Sequence, residues 1–187
     1  MKKLRHFFLI CVCVFSILIA ERTVGQVVPK PVSLHELPGY HSMKSLTWVF
    51  SDLRGDERNR LVEYLETTQP SFKLTTKKEK AELLLLKNGD QKNVEAYDLT
   101  INRSRIIVMA SGDAGVFYGL QTLLQLMESG RGYLRCVEIK DEPRFAYRGM
   151  MLDISRHFFK KEFVYRQLDM LATYKLNVLQ LHLHDTG

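Results

Sequence analysis

"PRFAYRGMMLDISRHFFKKEFVYRQLDMLATYKLNVLQLHLHDTG", residues 143–187, decides the fold of this chain. It reads as strand, helix, strand. The first strand is expected at about 147–155 and runs into Arg156-His157. Val164, Leu168, Leu171 and Ala172 then recur at helical spacing, one apolar stripe on a 3.6-residue period. Lys175 suits the negative end of that helix's dipole, and Leu176-Asn177 begins the exit. The second strand is expected at 178–184 and leads into Asp185-Thr186-Gly187. Two strands joined by a helical crossover form a parallel βαβ unit.

Side chains alternate across a strand, so Leu179, Leu181 and Leu183 share one face, while Val178, Gln180, His182 and His184 share the other. The leucine face is expected to meet helices and the polar face to look into a lumen. Arg156 and Asp185 have the wrong parity to line that lumen as strand residues, which assigns them to loops at the strand tops. In a TIM (β/α)8 barrel the carboxyl ends of the strands form the active-site face. The stretch therefore reads as a parallel βαβ unit with its polar residues gathered at that edge.

Upstream, residues 26–141 read as one α+β domain, an antiparallel-rich sheet with helices on one face. "VVPKPVS" (27–33) is extended, and its prolines suit an edge. "SLTWVFS" (45–51) is a candidate strand, 56–67 a candidate helix, and "AELLLLK" (81–87) an apolar run suited to a sheet centre. "EAYDLTI" and "RIIVMAS" alternate around "NRS", as in a hairpin. Ser111 or Asp113 is placed to cap the next helix, which Val116, Leu120, Leu123, Leu124 and Met127 stripe on one side. Gly130 and Gly132 end it, and "YLRCVEI" returns as a strand. The boundary "KDEPRF" is short, so the barrel unit at 142–187 is expected to pack on this domain.

Residues 1–25 begin with Lys2, Lys3 and Arg5 and continue in an apolar run from Phe7 to Ala20, the pattern of a secretory signal peptide. The run is short for a membrane span of about 20 residues. Bulky Ile10 and Val12 precede Cys11 and Cys13, a poor fit to a lipid-attachment site. The expected location is secreted or periplasmic. The formal charge is +6; four bases and one acid place half of it in residues 1–25. The densest remaining run, Lys77-Lys78-Glu79-Lys80, contains an acid and no interleaved aromatics, which argues against nucleic acid as a partner. Past residue 25 only Cys136 remains, so no internal disulfide and no zinc spacing is expected.

"YRGMMLDISRHF", a helix, and then "YKLNVLQLHLHDTG" resemble the start of the catalytic barrel of the β-N-acetylhexosaminidases, family 20 of the glycoside hydrolases. "EAYDLTI" and "AGVFYGLQTLLQL" resemble the small α+β domain that precedes that barrel. The resemblance implies that 142–187 is the first βαβ unit of a truncated TIM (β/α)8 barrel, and that the chain is the front part of a secreted exo-glycosidase acting on glycans that end in β-linked GlcNAc or GalNAc, with retention and without a cofactor. In that family the substrate's own N-acetyl oxygen attacks the anomeric carbon, a Glu protonates the leaving oxygen, and the preceding Asp orients the acetamido group. The resemblance puts that Asp-Glu pair beyond Gly187, so the fragment alone is expected to be inactive, with no catalytic residue of its own.

By the same resemblance Arg156 matches the arginine that hydrogen-bonds hydroxyls of the terminal sugar, and a guanidinium's fork of donors suits neighbouring hydroxyls. Asp185 matches an acid of the charged sugar-site network, and His182 a histidine that supports it from behind. The bland alternatives are an Arg156 paired to Asp153 and an Asp185 that caps the next helix. His157 is expected to serve structure. Asp56-Glu57 and Asp141-Glu142 are acid pairs without a barrel strand leading into them, and read as a helix start and a turn. Thr186 replaces a second acid common in the family, and Gln180-Leu181 a common His-Trp, departures that bear on substrate preference. Two other classes compete. His182 and His184 on one strand face could begin the metal site of a metal-dependent barrel hydrolase, although two histidines fall short of the three protein ligands of a catalytic zinc. A non-catalytic carbohydrate-binding module is the other.

Overall fold

The computed structural model describes residues 26–87 and 90–184, so the expected signal peptide and Asp185 lie outside the described residues. The first domain is a seven-stranded sheet covered on one face by two helices. Its strands are β1 (Ser33–Ser42), β2 (Trp48–Ser51), β3 (Lys73–Leu74), β4 (Leu83–Leu86), β5 (Tyr97–Ile101), β6 (Ile106–Ala110) and β7 (Tyr133–Asp141). The helices are α1 (Gly55–Thr68) and α2 (Asp113–Ser129). The spatial order is β1-β7-β5-β6-β4-β2-β3.

That sheet is mixed where the sequence suggested an antiparallel-rich one. β1, β7, β5 and β6 pair antiparallel in turn, and β6, β4, β2 and β3 pair parallel. The parallel half explains why β4 is four leucines in a row. It has a strand on each side and apolar residues on each face, so every position is buried. Leu83 and Leu85 enter the main core with Leu99, Ile106 and Val108, beneath Leu61 of α1 and Val116, Leu120 and Leu123 of α2. Leu84 and Leu86 form a smaller cluster on the opposite face with Phe50, Ile107 and Met109.

β1 was hidden by its Pro38-Gly39, which reads as a break. The strand sits at the sheet edge and absorbs the pair as a register shift between Glu36 and Tyr40, the kind of place where a proline is tolerated. The "NRS" hairpin forms as expected: Asn102 Oδ1 accepts from the backbone N–H groups of Ser104 and Arg105 and from the Ser104 hydroxyl. Neither Ser111 nor Asp113 caps α2. The cap is Gly112, whose extended backbone lies so close to the Val94 carbonyl that an added Cβ would meet it at 2.5 Å. Within α2, Gly119 lets the helix settle on the sheet, because a Cβ there would meet Val108 Cγ1 at 2.4 Å.

The second unit is the expected βαβ: β8 (Gly149–Asp153), α3 (Lys161–Thr173) and β9 (Val178–His182), with β8 and β9 parallel. Both strands are shorter than the expected 147–155 and 178–184. The register pairs Gly149, Met151 and Asp153 with Val178, Gln180 and His182, one shared face. Tyr147 lies over the foot of that face, close enough that a Cβ at Gly149 would displace its phenol, whose atoms lie 2.6–2.8 Å from that position. On the other face Leu179 is half-buried and Leu171 of α3 is buried, while Leu181 is 40% exposed. Thus α3 covers only the base of the leucine face.

Lys175 is not a dipole partner in the last turn. It sits past the helix end with φ +58°, in the left-handed region usually given to glycine. Its N–H donates to Ala172 O, and the Leu176 N–H donates to Leu171 O, the paired bonds of a Schellman cap. Its ammonium is buried, for a reason given below. Among the described residues no helix is long and apolar enough to cross a membrane.

Candidate functional site

The polar groups of the βαβ unit gather at its two ends and do different work there. At the carboxyl ends of the strands, β8 stops at Asp153. Asp153 Oδ1 accepts from the Ser155 N–H at 2.9 Å, the Ser155 hydroxyl at 3.1 Å and the Arg156 N–H at 3.3 Å. The turn so formed presents Arg156 exposed at the strand top. His182, the register partner of Asp153, closes β9. Its Nδ1 is 3.8 Å from Asp153 Oδ2, and its Nε2 is 3.0 Å from the His184 carbonyl, to which only a protonated Nε2 can donate. Desolvation raises the Asp153 carboxyl, but the Arg156 and Ser155 donors and the nearby His182 outweigh it and hold the acid below its usual range.

Arg156 and His182 are thus brought to one strand edge, and the acid that joins them is Asp153. Its link to Arg156 runs through the Arg156 backbone. Asp185 lies outside the described residues. His157, expected to serve structure, is exposed on the turn. For the metal alternative, each ring nitrogen of His182 faces an oxygen of this chain. Among the described residues no group of three or more His, Cys, Asp or Glu could hold a metal ion. Cys136 is buried in β7, and burial raises its thiol pKa.

At the amino ends of the strands the unit is fastened to the first domain. Arg148, just before β8, uses all five guanidinium N–H groups. Nε donates to Lys175 O; Nη1 donates to Glu95 Oε2 and Phe145 O; Nη2 donates to Glu95 Oε1 and the Tyr118 hydroxyl. Its Nη2–Glu95 Oε1 distance is 2.8 Å, and the two side chains are 14% and 18% exposed. The hydrogen bonds with Arg148 pull Glu95 below the usual carboxylate range and raise Arg148. Beside them, Lys175 Nζ donates to Asp141 Oδ2 at 2.8 Å and to the Tyr97 hydroxyl at 2.7 Å. The Tyr97 hydroxyl spends its one proton on Asp141, so the Thr122 hydroxyl, 2.6 Å away, must donate to it. Burial lowers the Lys175 pKa, and the Asp141 carboxylate opposes that shift. Gln125 adds a third tie, donating to Val28 O and Thr173 O.

Asp141-Glu142, expected to be a turn, therefore supplies half of a buried ion pair across the domain boundary. Asp56 and Glu57 open α1 as expected, and Glu57 pairs with Lys87. A cavity of about 530 Å³ lies between α1, α2 and α3, lined by Leu61, Phe117, Leu168 and Leu171 among others. It belongs to the domain junction and not to the strand tops, so it is not the candidate site.

A sheet-and-helix domain bolted beneath a parallel βαβ unit, with a guanidinium and a carboxylate–imidazole pair at the strand tops, defines the class: an α/β protein whose polar site lies at the carboxyl ends of parallel strands. The chain belongs to family 20 of the glycosyl hydrolases. Residues 25–142 match "Glycosyl hydrolase family 20, domain 2", and residues 145–187 match "Glycosyl hydrolase family 20, catalytic domain". A beta-hexosaminidase of Vibrio vulnificus is 42% identical over 100 residues, a stretch that covers 54% of this chain and 12% of that protein. The N-acetyl-beta-hexosaminidase of Streptomyces plicatus, solved in complex with Thio-NAglucal, superposes with a TM-score of 0.79 at 29% identity, over 89% of this chain and 36% of that one. The exo-beta-N-acetylglucosaminidase of Vibrio harveyi, solved with N-acetylglucosamine, gives a TM-score of 0.73 at 30% identity over 87% of this chain and 26% of that one. The chain thus spans well under half the length of these relatives.

Proposed function

We propose that this chain forms the front of an exo-β-N-acetylhexosaminidase, which removes terminal β-linked GlcNAc or GalNAc from glycans by retaining, substrate-assisted hydrolysis. The observation that carries the proposal is the match of both parts of the chain, in order, to the two family-20 descriptions. In this reading the reaction's nucleophile is the substrate's acetamido oxygen. This chain's residues bind and orient the sugar. Arg156 donates to neighbouring ring hydroxyls, Asp185 joins the charged network beside it, and His182 supports that network from behind. The proton to the leaving oxygen comes from an Asp-Glu pair that this chain does not contain, so residues 1–187 alone do not turn over substrate. Residues 1–25 act as a signal peptide, and the enzyme works outside the cytoplasm. Further barrel strands cover the face of Met151, which is 58% exposed here, and the tip of the leucine face at Leu183, 66% exposed.

The test uses the full-length protein and a chromogenic terminal β-N-acetylglucosaminide. Release of the chromophore is expected, with the β-anomer as first product by NMR. An α-anomer, or no release, overturns the proposal. Arg156→Ala should lower kcat/KM by tenfold or more, because each charge-assisted hydrogen bond lost is worth roughly 1.5–3 kcal/mol. Arg156→Lys should recover only part, since a point charge lacks the fork. An Arg156→Ala protein that folds and keeps its kcat/KM removes Arg156 from the site.

A further inference from the structure

We infer that Asp153 is the positioning residue of the sugar-binding strand top: one carboxylate oxygen fixes the turn that carries Arg156 while the other faces the His182 ring. The inference rests on the proposed role of Arg156 and adds to it a residue that does not touch the sugar.

The geometry separates the two oxygens. Oδ1 collects two backbone N–H groups and one hydroxyl, all from Ser155 and Arg156. Oδ2 is left to the imidazole. Asp153 is also the last residue of β8, and the Ile154 N–H donates to His182 O just past the strand end. Beyond Ile154 the next backbone donors, those of Ser155 and Arg156, turn to the carboxylate. Without that acceptor they would have to find water, and the backbone that places the Arg156 fork would be free to swing. A fork that must meet two hydroxyls at once tolerates little of this, since a misplacement of about 1 Å can cost on the order of 100-fold in rate. Asp153 is poorly suited to act as a general acid itself. Its Oδ1 already accepts three hydrogen bonds, and these donors favour the ionised form. The register explains why one side chain can serve both strands: Asp153 and His182 are direct neighbours on the lumen face.

The experiment compares Asp153→Ala, Asp153→Asn, Arg156→Ala and the Asp153→Ala/Arg156→Ala double variant in the full-length protein. Thermal unfolding is followed beside kcat and KM on the chromogenic glycoside. Asp153→Ala should lose about 10- to 100-fold in kcat/KM. Asn keeps an acceptor for the two N–H groups, so Asp153→Asn should hold KM within about threefold of the parent. The double variant should be no worse than Arg156→Ala alone, because Asp153 acts through Arg156. Effects that multiply in the double variant overturn the inference. If Asp153→Ala does not fold, Asp153→Asn decides: a KM raised as far as in Arg156→Ala overturns it. If the parent itself is inert on the glycoside, the proposed function falls. Amide exchange at Ser155 and Arg156 then still judges Asp153. Faster exchange at these two amides in Asp153→Ala, with β8 unchanged, is expected, and unchanged rates overturn the inference.

Discussion

Arg148→Ala should uncouple the βαβ unit from the sheet domain. The guanidinium uses all five donors at the junction, on Glu95, Tyr118, Phe145 and Lys175. Removing it leaves Glu95 as an unpaired carboxylate only 18% exposed. Breaking a buried ion pair from one side costs about 3–5 kcal/mol, and each kcal/mol moves the midpoint of a chain this size by about 2–4 °C. The expected fall is therefore roughly 6–20 °C in thermal unfolding of this chain. Arg148→Lys can make at most three of the five donations, so its loss should be intermediate, about 1.5–3 kcal/mol. Hydrogen exchange locates the damage: β9 should lose protection while β4 to β6, in the core of the first domain, keep theirs. A loss below about 1 kcal/mol in Arg148→Ala, with β9 exchange unchanged, would refute the assignment of this arginine as the principal tie.

Acid should weaken the same junction. Arg148 holds the Glu95 pKa below its ordinary value of 4.5, so Glu95 adds stability that is complete above that value and lost as pH falls through the lower folded value. Glu95→Gln should therefore be less stable than the parent at neutral pH and lose less on acidification, a comparison that urea unfolding at pH 7 and below pH ~4.5 makes directly. At Lys175 two changes separate backbone from charge. Lys175→Met strands Asp141 and keeps the left-handed backbone, while Lys175→Gly strands Asp141 but relieves φ +58°. Urea midpoints should place both below the parent, with the glycine variant the more stable of the two by about 1 kcal/mol.

The βαβ unit was legible because its signals are local. The apolar stripe of α3 and the alternation of β9 each fall within a dozen residues, and so does the parity that puts Arg156 in a loop. The junction was not legible, because its partners are far apart in sequence. Glu95 and Arg148 are 53 residues apart, and Asp141 and Lys175 are 34 apart. Nothing near Lys175 distinguishes an ammonium that neutralises a helix end from one that is buried. β1 was lost to its Pro38-Gly39, which only an edge position makes compatible with a strand. The role of Asp153 was half visible. Its nearness to Arg156 is local, but its pairing with His182 needs the parallel register, which alternation alone does not fix.

The two ends of the βαβ unit divide the groups proposed to bind sugar from the groups that fasten the unit to the first domain. Arg148, Lys175 and Asn177 lie at the amino ends of β8 and β9 and all bond toward the first domain or the segment before β8. Asp153, Arg156 and His182 lie at the carboxyl ends, where Asp153 holds the Arg156 backbone and faces the His182 ring. Each strand is five residues long, about 16 Å at the usual rise, well beyond a Debye length in physiological salt. Charges at one end are therefore electrostatically weak at the other, and what connects them is the stiffness of two hydrogen-bonded strands. That arrangement leaves an exposed guanidinium and a half-exposed acid at the strand tops. The buried pairs at the base anchor the same strands against the sheet domain. The α+β domain is thus a foundation for the proposed sugar-binding edge, which it reaches through the orientation of β8 and β9.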